Sequence, residues 1–182
     1  MDQDDLERAR AMWRYRGTGR PSFAVDPAPG QESVWDYPRP PRMEADARHV
    51  RVLYRDTLIA SSTASVRILE TAGPPVFYLP RQDAHLEHLV ARPGGSLCEW
   101  KGAATYWSLQ WGGQEIPDVG WSYEDPFAPY ESIRGYVSFY PAKLDCYLDD
   151  ERVGAQPGGF YGGWVTREIV GPFKGEPGTG GW

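Results

Sequence analysis

A chain of 182 residues, 41% of them hydrophobic, suits one domain, or one domain with structured extensions. Its formal net charge of −6 gives no basic field to draw nucleic acid or an anionic membrane, which argues against both partners. Cys98 and Cys146 fit neither a disulfide framework nor a thiol-rich zinc site, and no signal-peptide core or bilayer-length run is present, so reduced thiols and a cytoplasmic location are expected.

Residues 2–16 predict a short amphipathic helix. Leu6, Arg10 and Trp13 recur at roughly helical spacing, Asp2, Asp4 and Asp5 favour a helix N-terminus, and Gly17 and Gly19 end it. SVWDYPRPPR (33–42) reads as extended, because Pro38, Pro40 and Pro41 hold it near polyproline geometry. Trp35 and Tyr37 are costly to expose, which predicts an arm laid across the domain surface.

The regular domain begins near His49. Val50, Val52 and Tyr54 alternate with Arg51 and Leu53, and Arg55-Asp56 turns the chain into Thr57–Ala60, a hairpin signal. Ser65–Glu70 and Val76–Leu79 follow as strands across the turn Gly73-Pro74-Pro75. Glu70 shares the parity of Val66 and Ile68, so its carboxylate approaches the core face and needs a partner there. Asp83 is placed to cap a short helix carrying Leu86, Leu89 and Val90. His85 and His88 complete no metal signature, and no metal site is predicted.

Leu97–Trp100 and Ala103–Gln110 predict strands around Lys101-Gly102. In the second, Tyr106 and Ser108 face away from Thr105, Trp107 and Leu109. Gly112-Gly113 marks a turn, the stretch to Asp118 reads as irregular, and Val119–Tyr123, Tyr136–Tyr140 and Asp145–Leu148 read as further strands. In the tail, ten of 29 residues from Gly154 to Trp182 are glycine, yet Phe160, Tyr161, Trp164 and Trp182 recur through it. A flexible linker has no use for such side chains. The tail therefore predicts an irregular wrap, with an interface for a second copy as the alternative.

Chemistry concentrates between Cys98 and Tyr140, where eleven residues are aromatic and Lys101 sits between Trp100 and Gly102. Beside Trp100, Tyr106 and Trp107, Lys101 has three readings: a point charge for a ligand anion, a nucleophile or proton-transfer group with a lowered pKa, or a structural partner of Glu70. Cys98 reads as a buried small hydrophobe or a reactive thiol. Trp107, Trp121 and Tyr123 offer stacking faces, and Arg67 and Arg81 an anion contact. No Walker motif or G-x-G-x-x-G before a helix points to a standard nucleotide fold, and no cofactor is predicted.

The pieces SSTASVRILE (61–70), PPVFYLPRQDA (74–84), CEWKGAATYW (98–107), GWSYEDP (120–126) and IRGYVSFYPAKLD (133–145) together resemble the DUF427 family. These are small bacterial and fungal proteins whose domain of unknown function is also labelled a nucleotidyltransferase domain. The resemblance covers roughly residues 48–153, and the flanks ESVWDYPRPPR (32–42) and 158–182 are similar to a longer actinobacterial form. Gly120 stands where the family usually has alanine.

What the resemblance implies is a mainly β, compact β-tent-like domain. Two small antiparallel sheets would meet at an angle around a groove, with one short helix and irregular extensions at 1–47 and 154–182. Zinc-bearing relatives use paired cysteines, so packing would take over the metal's role in this chain.

Three functions compete. The first is a small-molecule binder whose aromatic pocket contains Lys101 and at least two of Tyr106, Trp107, Trp121 and Tyr123. The second is an enzyme transferring a group through Lys101 or Cys98, with Glu70 as an acid candidate, including the nucleotidyl transfer of the family label. The third is an interaction protein whose arm and tail build a homo-oligomer.

Overall fold

The structure is a computed structural model that describes residues 3–182. Asp2 lies outside the described residues. The α-helix runs Gln3–Ala11, with Asp4 and Asp5 in its first turn and Arg8 and Arg10 in its last, the charge order its macrodipole favours. None of its side chains is fully buried. The arm is anchored just beyond it, at Trp13.

The described residues form six small sheets rather than two. One four-stranded antiparallel sheet has the order Val137–Phe139, Gln114–Ser122, Thr105–Trp111, Leu89–Ala91. A second runs Glu151–Arg152, Asp145–Leu148, Val50–Tyr54, Thr57–Ser62, and a three-stranded sheet runs Arg42–Asp46, Ser65–Leu69, Val76–Tyr78. The other three are two-stranded. Leu97–Cys98 pairs with Gly102–Ala103, Glu32–Ser33 lies parallel to Ile169–Val170, and Gly154–Ala155 pairs with Trp164–Val165. The last two pairs arise because both extensions dock as short strands.

The hairpin predicted at Arg55-Asp56 forms, with both turn residues at positive φ. The helix predicted from Asp83 to Val90 does not. Two 3-10 turns, Arg81–Asp83 and Leu86–His88, replace it, and Leu89–Ala91 is a strand. A helix of two turns has too few internal hydrogen bonds to offset its nucleation. Edge pairing wins instead: Ala84 bridges Ala60, and the His85 N–H donates to the Ile59 carbonyl at 2.8 Å. Asp83 caps nothing and accepts a hydrogen bond from Ser62 Oγ at 2.7 Å.

The stretch read as irregular before Asp118 belongs to the longest strand, Gln114–Ser122. The pairing jumps from Trp107↔Gly120 to Leu109↔Ile116, so a bulge absorbs Pro117 and the positive-φ Asp118.

The inner half of the ribbon Thr105–Trp111/Gln114–Ser122, around Trp107 and Trp121, is buried on both faces, and its far turn is exposed. Trp107, Leu109 and Val119 join Val50, Val52, Ile59, Phe139 and Trp164 in the main core, which ties the two four-stranded sheets together. On the opposite face, Trp121 and Tyr123 meet Ile68, Tyr78, Tyr130 and Ile133 in a second cluster, with Tyr106 packed against it. A third cluster joins Trp35, Tyr37 and Ile169 of the extensions to Leu69 and Ala72.

Gly120 has a packing reason. A Cβ there would lie 2.4 Å from the Ser138 carbonyl oxygen and 3.1 Å from Phe139 Cδ1 on the neighbouring strand. Gly120→Ala should therefore push Val137–Phe139 outward and cost about 1–3 kcal/mol, read as a lower denaturant midpoint. An unchanged midpoint would contradict this packing.

Candidate functional site

A cavity of about 330 Å³ opens on the second cluster's side of the ribbon. Alternation along paired strands builds its aromatic wall. Tyr106 and Trp121 are direct cross-strand partners, and Tyr123 follows Trp121 on the same parity. The Trp121 indole N–H donates to the Tyr78 hydroxyl at 3.1 Å, and its ring lies 4.5 Å from that of Tyr140. Ile68 and Val76 add aliphatic surface from the three-stranded sheet. Burial pushes the Tyr78 hydroxyl up to about 12, so it stays a neutral donor at ordinary pH.

Lys101 enters from the tight turn of the Leu97–Cys98/Gly102–Ala103 hairpin. Gly102 closes that turn at φ +104, a backbone state L side chains rarely adopt, and the Phe127 N–H fastens the turn to the Lys101 carbonyl at 3.1 Å. The Lys101 side chain runs inward, leaving the residue 7% exposed, with Nζ about 6 Å from the ring centroids of Tyr123 (6.0 Å) and Tyr130 (5.9 Å). Burial works to lower its pKa, but Cys98, Tyr78 and Glu70 raise it more, and the balance is upward. The lysine read from sequence as a potential lowered-pKa nucleophile is thus held protonated. It does not ion-pair with Glu70, whose Oε1 takes Arg39 Nε at 3.0 Å.

The lysine with a lowered pKa is Lys174, in the tail. It is 5% exposed, and its ammonium lies 3.7 Å from the ring centroid of Trp13 and 4.4 Å from that of Tyr161. Burial is the largest influence and brings it down to about 8, with Glu70 and Glu99 opposing and Arg39 and Lys101 assisting. Folded Lys174 therefore loses its proton near 8, and the unfolded side chain near 10.4. Between those values the unfolded chain binds more protons, so stability rises with pH. Relative to Lys174→Met, the wild-type protein should gain up to about 3 kcal/mol across that window. A pH-independent difference between the two unfolding curves would contradict the assignment.

The extensions complete the cavity. Trp13 donates its indole N–H to Glu99 Oε1, and Arg10 Nε donates to the Glu99 carbonyl at 2.8 Å. Gln156, Phe160, Tyr161 and Gly162 line the tail side together with Lys174. Gly162 is required there, since a Cβ would sit 2.2 Å from Trp121 Cη2.

The structure brings Lys101, Cys98, Glu70, Tyr106, Trp121 and Tyr123 to this one cavity and leaves three sequence candidates, Trp107, Arg67 and Arg81, outside it. Trp107 points to the opposite face of the ribbon, where its indole N–H donates to Ser122 Oγ at 2.9 Å. Neighbouring residues of one strand cannot share a face, so Tyr106 and Trp107 exclude each other from the same wall. Arg67 is taken up by Glu32 at 3.0 Å and Glu44 at 2.7 Å. Arg81 pairs with Glu124 at 3.1 Å.

Sequence reasoning missed Trp13, Tyr161 and Lys174. One signal was available: of 19 basic residues only Lys101, Lys143 and Lys174 are lysines, and two of the three line this cavity. Among the described residues, no three His, Cys, Asp or Glu side chains gather into a group able to hold a metal ion. Nor does any helix there have the length and apolar character to cross a membrane.

The family model described as Domain of unknown function (DUF427) matches residues 42–150, more than half of the sequence. The chain belongs to the DUF427 family. A comparison with curated proteins gives no match. The DUF427 region supplies the aromatic wall, the floor and Lys101. Trp13, Gln156, Phe160, Tyr161, Gly162 and Lys174 lie outside the matched residues, so in this family member the cavity is finished by its extensions.

Proposed function

We propose that this DUF427 protein binds a small molecule in the cavity between its aromatic ribbon and its two extensions. The observation that carries the reading is the meeting of Lys101 with Tyr106, Trp121 and Tyr123 around one preformed space. A volume of about 330 Å³ lies within the range of small-molecule sites, roughly 300–1,000 Å³. Largely aromatic walls with a few placed polar groups are the usual composition of such sites.

Binding is favoured over group transfer through Lys101, because a lysine kept protonated is a counter-charge rather than a nucleophile. It is also favoured over nucleotidyl transfer. The two cavity carboxylates each already have a partner, Glu70 in Arg39 and Glu99 in Trp13, and among the described residues no third ligating side chain joins them to hold a metal ion. Trp35 and Tyr37 of the arm and Trp164 of the tail are buried within this chain, although Phe23 and Phe160 stay exposed, and the buried rings support a role in closing this chain's own site. Two free thiols, Cys98 and Cys146, fit the reducing cytoplasm.

The test is mass spectrometry of small molecules carried through native purification by the wild-type protein and by Lys101→Met. A species retained by the wild type and lost from the variant is expected. Identical profiles from the two proteins would contradict the reading.

A further inference from the structure

We propose that the cavity takes a small planar organic monoanion, a carboxylate on an unsaturated or aromatic frame, with Lys174 and Lys101 as its counter-charges. This rests on the small-molecule reading above and adds the charge class of the ligand.

Lysine is among the residues least often buried without a partner. In a chain whose cations are nearly all arginine, two of the three lysines are nine-tenths buried in one cavity wall. Among the described residues, no ion pair with an acidic side chain within 4.0 Å involves either ammonium. Lys174 is left with aromatic ring faces, and Lys101 with rings and the Cys98 side chain. The carboxylates beside them are committed elsewhere, Glu70 to Arg39 and Glu99 to Trp13.

Counting Lys174 and the charged groups that act on it, Arg39, Lys101 and Lys174 stand against Glu70 and Glu99, one positive charge in excess. An uncompensated charge in a largely apolar wall is costly, and one negative charge on a ligand removes that cost. A phosphate dianion would overshoot the balance. The faces of Tyr78, Trp121 and Tyr123 account for the planar frame. The one internal rival for the role of counter-anion is a thiolate at Cys98.

The charged groups around Lys174 are Glu70, Glu99, Arg39 and Lys101. A bound carboxylate favours the protonated lysine, so affinity should fall as pH rises through the Lys174 titration near 8.

The full-length protein is titrated with benzoate, benzamide and benzylammonium, three probes of one frame and three charges. Benzoate should bind at least about tenfold more tightly than either of the others and weaken above pH about 8. Lys174→Met and Lys101→Met should each cost about thirtyfold, and Arg152→Gln on a distant edge should cost nothing. Equal binding of benzamide would overturn the charge assignment and leave the cavity reading standing. Failure of all three probes would overturn both. Benzoate binding only after Cys98→Ser would identify the thiolate as the counter-anion and overturn the proposal. Should Lys174→Met fail to fold, the wild-type series decides, because an affinity flat through that pH range contradicts the role given to Lys174.

Discussion

Trp164→Ala should destabilise the protein by about 3–5 kcal/mol, although the residue lies outside the DUF427 region in a glycine-rich tail. The Trp164 ring is fully buried, 5.0 Å from the ring of Phe77, and its indole N–H donates to the Phe139 carbonyl at 3.1 Å. Its backbone N–H donates to the Pro75 carbonyl at 2.8 Å. It thus packs in the same cluster as Val50, Leu109 and Val119, and truncation leaves a cavity between the two four-stranded sheets. Chemical denaturation measures the loss. A cost below about 1 kcal/mol, typical of a surface position, would mean that the tail does not share this core.

Arg39→Met should cost a similar amount, about 3–5 kcal/mol, and should also loosen both extensions. The Arg39 side chain is 0% exposed. It donates to Glu70 Oε1 at 3.0 Å, to the Tyr15 and Trp182 carbonyls at 2.8 and 2.9 Å, and to the Thr71 carbonyl at 2.8 Å. Its guanidinium also lies 4.4 Å from the ring centroid of Trp13. One side chain thereby fastens the N-terminal arm, the C-terminus and the carboxylate nearest the cavity lysines. Without it, Glu70 is left charged with no cation in contact, and three carbonyls lose a donor. Arg39→Lys should fail to rescue, because an ammonium cannot reproduce the planar fork that spans those four acceptors. Denaturation and limited trypsin digestion read the two effects, and a midpoint and cleavage rate matching wild type would contradict this hub role.

Period-two alternation made much of the domain legible. It located the hairpin of Val50–Tyr54 with Thr57–Ala60, which the structure extends to Ser62, and it put Tyr106 and Trp107 on opposite faces of one strand. Applied strictly, that parity already excludes Trp107 from a wall that Tyr106 lines. Other features depend on partners distant in sequence and leave no local pattern. Ala84 pairs with Ala60 instead of continuing a helix, and Gln114–Ser122 carries a proline and a bulge that disguise a long strand as a loop.

Lys101 was legible as a cation in an aromatic setting, but its burial and protonation were not. Cys98, in its own hairpin, and Glu70, which arrives from beside another sheet, are among the groups that raise its pKa. Lys174 was hidden because irregular chain has no period to read. Only the scarcity of lysine marked it.

The central claim, a ligand site shared by the ribbon and the extensions, is tested most directly by the indole N–H signals of the eight tryptophans. These are followed by two-dimensional NMR while a deproteinised small-molecule extract of the expressing cells is added to the ligand-stripped protein. Trp13 and Trp121, which line the cavity from the arm and from the ribbon, should shift together, and Trp35 and Trp164 should stay in place. Shifts confined to tryptophans away from the cavity, or an unmoved Trp13 beside a shifted Trp121, would contradict a site built by both.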